Sequence, residues 1–448
     1  MDGSTAALAR HLTGLRFADL PAPIVTLAKL CVLDLTGVMV AGAGEPAARI
    51  AAGVVAREYG AGPCTLAGRT ERTTATGAAL ANGTAAHALD FDDVVTTMGH
   101  PSAPALPAAL AVAERTGATG RDLLTAFTAG FETQTRVAAA IGPSHYARGF
   151  HSTATFGTFG AAAAATRLLG LDAERTTAAL GIAGTQAAGL KAMFGTMCKP
   201  LHAGRAAMAG VLAAELAADG FTSGDDVLGA PQGFADTQSD TFDAAVAAGG
   251  FGDPWRMEGV RFKVHAACFL THASINALLH LRRTAGIAAD DVARVDVTVP
   301  PGHLAVCAIP EPRTGLEGKF SLRYTAALAL THGAADPSRF TDELVADPRL
   351  TDVRDRVTVL ADDRLTGPVA TVAVKLADGR ELTAEHDTNV RPWADDPGEQ
   401  TADLLGKFHA MADPVLGAGR ARELADTVLA LDGLDDVRGL AALTAPAS

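Results

Sequence analysis

Apolar residues recur at three- and four-residue spacing until about residue 250 of the 448-residue chain, and the recurrence then gives way to alternation. A period near 3.6 places side chains on one stripe of a helix, whereas a period of two places them on one face of a strand. The windows 24–40, 106–115, 123–141 and 212–216 carry the helical pattern. Gly170 and Asp172 supply a stop and a cap between two of the helices, and Thr222, Ser223 and Asp225 punctuate the stretch after Gly220. Near residue 262 the texture changes. Val295, Val297 and Val299 alternate with Arg294, Asp296 and Thr298, residues 356–360 are β-branched, and 369–376 and 381–385 flank an Asp378-Gly379 hairpin turn. Helical patterns interleave at 273–281 and 321–331, and they return at 404–411 and 421–431, beyond the Pro/Asp-rich RPWADDPGE of residues 391–399. The expected fold is mainly α. A large all-helical domain is formed by both chain ends, residues 1–261 plus 396–448, and a smaller α+β domain is inserted at 262–395. A cleft between them is the default place for a ligand.

Composition narrows the function. With 37 Lys+Arg against 50 Asp+Glu the charge is −13, and no basic run exceeds a pair, so a nucleic-acid partner is not expected. Aromatic residues are only 5 %, so the helices must pack through Ala, Leu and Val. The N-terminal MDGSTAALARHLTGL has no basic head followed by an apolar stretch, and no charge-free apolar run reaches membrane-spanning length, so no membrane partner is expected. Cys31, Cys64, Cys198, Cys268 and Cys307 are scattered, with no CxxC pair. That spacing fits reduced thiols in a cytoplasmic protein and speaks against an iron–sulfur cluster.

Five polar clusters stand among small apolar residues. In HALDFDDVVTTMGHPSA, Asp90, Asp92 and Asp93 precede His100; the plainer reading makes Asp92 and Asp93 helix caps and His100 a turn residue. In ARGFHSTATFGTFGAAAAA, His151 stands just ahead of an Ala/Gly helix whose N-terminus favours an anion, though it also suits a capping or packing role. In MCKPLHAGR, Lys199 precedes His202 and Arg205, and a lysine in such surroundings is costly to bury unless it meets an anion. Lys191 and Arg205 read as surface or structural charges. In RFKVHAACFLTH, Lys263, His265, Cys268 and His272 invite a zinc hypothesis, but no further ligands stand at metal-site spacing and no metal is expected. In KFSLRY, Tyr324 lies on a helix, where a ring normally packs and its hydroxyl finds a hydrogen bond.

HExxH, GxxxxGK[ST], a strand-to-helix GxGxxG and GxSxG are all absent. His and Lys groups with acidic partners, lacking a nucleotide or metal signature, suit proton transfer at a carbon next to a carboxylate. Cations hold the acid and neutral imidazole moves the proton. A local positive pocket is then needed within a negative surface.

The strings HALDFDD…HPSA, GFHSTATFGTFGAAAAA, GIAGTQAAGLKAMFGTMCKPLHAGRAA, RFK…TH and KFSLRY together resemble the MmgE/PrpD family, in the family's order and over nearly the whole chain. The resemblance implies a helical domain with an inserted α+β lid, a homodimer, and catalysis without metal or organic cofactor. By position it implies that Asp90, His100, His151, Lys199, Lys263 and Tyr324 line the inter-domain pocket. His100 and His151 would transfer protons, Lys199 and Lys263 would anchor carboxylates, and Asp90 would orient a neighbouring cation or His.

Three departures bear on the substrate. Val94 stands where many relatives have Thr, Cys268 stands where cis-aconitate decarboxylases resemble one another in carrying His, and HPSAPALP lacks the HPSDN form of dedicated 2-methylcitrate dehydratases. The resulting pocket is less polar, suited to a substrate with fewer carboxylates or a bulkier apolar part. The expectation is a cofactor-independent lyase or isomerase acting by proton transfer α to a carboxylate or carbonyl of a small polycarboxylic acid, decarboxylase-like or dehydratase-like. An epimerase of a dicarboxylate such as iminodisuccinate is the enzymatic alternative. A non-catalytic helical dimer that binds an acid is the other, disfavoured because it has no need to keep costly cations in a pocket.

Overall fold

The structure is a computed structural model that describes residues 3–252, 254–389 and 397–447. It is mainly α, with one small mixed sheet. The helices used below are α1 (Ala22–Gly42), α2 (Ala75–Ala88), α3 (Ser102–Thr116), α4 (Gly120–Ile141), α5 (Ser152–Leu168), α6 (Cys198–Ala218), α7 (His272–Ala285), α8 (Leu322–His332) and α9 (Pro397–Leu416).

The low aromatic content has a direct structural use. Helices α2, α3, α5 and α6 pack on one another, and their facing residues are small enough for backbones to approach. A Cβ added to Gly204 of α6 would stand 2.3 Å from the Leu80 carbonyl oxygen of α2, so no larger residue fits that crossing. Stops and caps follow the expected chemistry. Gly170 takes φ +65° after α5, and the Asp172 carboxylate accepts from the Arg175 amide at 2.9 Å to start the next helix.

Helix α1 is the one described helix long and apolar enough by composition to cross a membrane, but 78 % of that apolar window is buried inside the molecule. It packs against α9, and its buried Asp34 meets Lys407 of α9 at 2.6 Å. The chain's last helices thus complete the core begun by its first: Leu404, Phe408 and Leu424 share one apolar cluster with Leu27, Leu106 and Phe127.

A second apolar cluster is built around the sheet. Its strands are β1 (Val292–Val299), β2 (Val357–Ala361), β3 (Val369–Leu376) and β4 (Glu381–Asp387), in the order β2-β1-β3-β4. β2 runs parallel to β1, while the β1–β3 and β3–β4 pairs are antiparallel. The alternation read from the sequence sets the register, because buried Val295 faces Val374 and buried Val297 faces Val372. Helix α7 covers β3 and β4 and packs on α8. Of the Pro/Asp-rich stretch expected to end the inserted domain, residues 391–396 lie outside the described residues.

Candidate active site

Between the two apolar clusters lies a cavity of about 600 Å³. The helical side gives Asp90, Val94, His100, His151 and Lys199, and the sheet side gives Cys268, Leu270 and Phe320. Four polar residues singled out from three motif strings, namely Asp90, His100, His151 and Lys199, therefore meet at one wall, with Cys268 opposite.

The loop after α2 sets the first of them. Asp90 takes φ +52°, a left-handed conformation that costs a non-glycine residue energy but is commonest for Asp and Asn. It is held by Lys263, whose Nζ donates to the Asp90 carbonyl at 3.0 Å and to its Oδ1 at 2.7 Å. The loop is then tied on both sides. Val94 and Arg261 exchange backbone hydrogen bonds of 2.9 and 2.8 Å, and the His100 amide donates to Thr153 Oγ1 of α5 at 3.2 Å. Gly99, just before His100, takes φ +102°, and a Cβ there would meet Thr153 Oγ1 at 2.8 Å.

Asp92 caps none of the described helices and meets two imidazoles instead. His87 Nδ1 lies 2.9 Å from Asp92 Oδ2, and His100 Nδ1 lies 3.1 Å from the same oxygen. A buried carboxylate can only accept, so it places the His87 proton on Nδ1 and leaves that ring's Nε2 as a lone pair, while His100 Nδ1 approaches the same oxygen without an aligned hydrogen bond. Burial pushes both rings below the ordinary imidazole range, His87 to about 3, against the opposing pull of Asp92. Asp92 itself is held below the carboxylate range: burial works against its charge, and the two imidazoles outweigh it. His100 Nε2 comes within 3.7 Å of Asp90 Oδ1, the oxygen that also receives Lys199 at 2.8 Å. Asp93 keeps the expected capping role, accepting from the Ser102 amide at the start of α3.

His151 occupies the position just before α5 but makes no side-chain cap. Its amide donates to the Gly189 carbonyl at 3.0 Å, and its Nδ1 lies 2.9 Å from His202 Nδ1. One ring of that pair must donate and the other accept, so the two are not both cationic. Burial pushes His151 well down, with Lys199 adding to the effect, and pushes His202 to about 4. The His87, His100 and His151 rings stand close together, centroids 4.5 Å apart for the first two and 6.0 Å for His87 and His151.

The two lysines differ in use. Lys199 places its ammonium over the adjacent rings of Phe194 and Phe320, is 5 % exposed, and spends one donor on Asp90. It faces the cavity. Lys263 was expected to anchor a carboxylate too, but it is wholly buried, and its three donors go to Asp90 O, Asp90 Oδ1 and the Ala267 carbonyl. It holds Asp90 rather than a ligand. Tyr324 also departs from expectation. Its ring packs near Phe340, and its hydroxyl donates to the Arg339 carbonyl at 2.8 Å, away from the cavity lining.

Sequence reasoning passed over His87, although HALDFDD opens on it, and gave His202 no role. The signal for His87 was an imidazole at a helix end just ahead of two aspartates. Tyr146, Phe194 and Phe320, which line the cavity, had no sequence signal.

His87, Asp90, Asp92 and His100 place donor atoms within 4.8 Å of one another, a set of metal-binding types. The fit to a cation is poor. Two ammonium groups already sit on Asp90, and Asp92 is engaged by two rings. Elsewhere, His265 meets Asn276 and the His272 ring meets the Ala267 carbonyl, so neither ring is turned to a shared ligand.

Over 98 % of its length the chain is 28 % identical to a cis-aconitate decarboxylase-like protein of Aspergillus oryzae, covering 96 % of that protein. It is 29 % identical to human cis-aconitate decarboxylase and 26 % identical to that of Aspergillus terreus, again over 98 % of its length, covering 94 % and 95 % of those proteins. Residues 6–247 match the MmgE/PrpD N-terminal domain and residues 265–433 the MmgE/PrpD C-terminal domain, so the chain belongs to the MmgE/PrpD family.

Proposed function

We propose that the protein is a lyase that works by side-chain acid–base chemistry on a carboxylic acid, transferring a proton at the carbon α to a carboxylate. Of the reactions sharing that step, decarboxylation of a cis-aconitate-type acid is favoured by the names of its relatives. The observation that carries the reading is the pairing of a neutral, carboxylate-oriented His100 with a cavity-facing Lys199 around the single oxygen Asp90 Oδ1.

In this reading a substrate carboxylate docks against Lys199, whose remaining donors and charge stabilise the enolate-like carboxylate that forms as charge develops. His100 Nε2 and the neutral His151 are the proton-transfer groups, and both keep lone pairs at neutral pH because burial opposes their protonation. Asp92, close to His100 Nδ1, takes up part of the charge when the ring becomes cationic. No metal is needed for these steps.

The test is incubation with cis-aconitate and with citrate- and aspartate-type acids in deuterated water, followed by NMR, with metal content measured on the same sample. Loss of one carboxylate with deuterium entering the α-carbon supports decarboxylation. Deuterium entry without loss of carbon redirects the assignment to a dehydratase where water is added or lost and to an epimerase where it is not, and no exchange with any acid overturns the reading. Activity that tracks stoichiometric zinc or iron overturns its metal-free part.

A further inference from the structure

The cavity is larger, and its far wall less polar, than a compact polycarboxylate requires. Its volume of about 600 Å³ falls within the roughly 300–1,000 Å³ of pockets that enclose drug-sized ligands. Charge sets a second limit. Lys199 is the one Lys or Arg side chain on the lining, and it already faces Asp90. Counting the buried neighbours, Lys199, Lys263 and Lys319 stand against Asp90 and Asp92, but Lys263 spends its donors on Asp90 and Ala267 and Lys319 donates to the Leu89 and Ala266 carbonyls, so Lys199 is the described ammonium that faces a ligand on the lining.

Much of the remaining wall is apolar, broken by Thr96, Thr97, Ser152, Thr153 and Tyr146. Ala138 and Ala139, on the last turn of α4, and Pro143 just beyond it stand with Val94, Met98 and Leu270 on the same cavity. Val94 and Met98 are 5 % and 1 % exposed, so this wall is a built surface rather than a frayed loop. A compact acid held at Lys199 leaves water against these side chains, and an alkyl group displaces it.

We propose that the cavity takes an acid with two unlike parts: a carboxylate head at Lys199 and an alkyl arm of several carbons lying along Val94, Met98, Ala138, Ala139, Pro143 and Leu270. This rests on the α-proton-transfer reading above and adds the class of substrate. Val94 and the α4 end are then specificity determinants, and the imidazoles act on the head alone.

The experiment compares cis-aconitate and, in parallel, maleate, which carries fewer carboxylates, each with its methyl, propyl and hexyl homologues, using the full chain in deuterated water. The expected result is kcat/KM rising roughly fourfold per methylene until the arm is filled. Ala139→Leu, which narrows the chamber, should cut the ratio of hexyl to unsubstituted kcat/KM tenfold or more, and Leu270→Ala should shift the optimum to a longer arm. If a variant fails to fold, the wild-type series decides alone. A flat or falling series, with cis-aconitate turned over as well as the hexyl acid, overturns the alkyl-arm proposal and leaves the lyase reading standing. No exchange with any member overturns the lyase reading and this proposal with it.

Discussion

Lys263 Nζ lies 2.7 Å from Asp90 Oδ1 and 3.0 Å from the same residue's carbonyl oxygen, so one buried ammonium fixes both the side chain and the strained backbone of one aspartate. The aspartate in turn presents Oδ1 to Lys199 and His100. A residue outside the cavity thereby sets the geometry of three that line it.

Removing that ammonium tests the relationship. Lys263→Met should lower stability by about 3–5 kcal/mol, because Asp90 is left buried with one cation fewer. The Lys263→Met/Asp90→Asn pair should recover part of the loss. Denaturant midpoints for both variants measure it, and a single variant as stable as wild type contradicts the role given to Lys263.

Tyr324 sorts a packing role from a site role. Its hydroxyl reaches the Arg339 carbonyl and not the cavity. Tyr324→Phe should cost about 1 kcal/mol of stability and leave kcat and KM near wild type. A large fall in kcat at unchanged stability contradicts this placement.

His202 is not among the residues lining the cavity and meets His151, which is, at 2.9 Å, so its expected role is to position that ring. His202→Phe should lower kcat about tenfold, the worth of one hydrogen bond of about 1–1.5 kcal/mol, and leave KM largely unchanged. His202→Asn, which keeps a polar partner, should restore much of the rate. Equal loss in both variants contradicts a positioning role.

The buried imidazoles predict an acid-sensitive fold. His87 is lowered by burial from 6.5 to about 3. Between those values the unfolded chain binds a proton that the folded chain does not, so stability is full above about pH 6.5 and is lost as pH falls toward 3. At pH 5 the loss from His87 is about 2 kcal/mol, and His100 and His151, lowered in the same direction, add to it. Thermal unfolding at pH 5 and pH 7 reads this directly. The acid limb of kcat/KM should likewise fall below the ordinary imidazole value rather than on it.

Much of this was legible in the sequence. The alternation at Val295, Val297 and Val299 and the Asp378-Gly379 turn specified the sheet register, because period two leaves one face to bury. Asp90, His100, His151 and Lys199 were found as polar residues among small ones, and the fold brings them to one cavity. What was not legible depends on groups the sequence does not bring together. Lys263 is saturated by carbonyls of Asp90 and Ala267, and backbone acceptors leave no mark in a motif. His87 gains its place only when the loop folds Asp92 back between it and His100. Tyr324 shares a motif with site residues, yet the Arg339 carbonyl takes its hydroxyl.

His100 carries the central claim, and the most direct test compares wild type with His100→Asn for solvent deuterium entering the α-carbon of the best acid substrate at saturating concentration. The predicted result is a loss of about a hundredfold or more in the variant, the scale of one positioned acid–base group, with binding of the acid retained because Lys199 is untouched. Deuterium entry at the wild-type rate would contradict the assignment of proton transfer to this site.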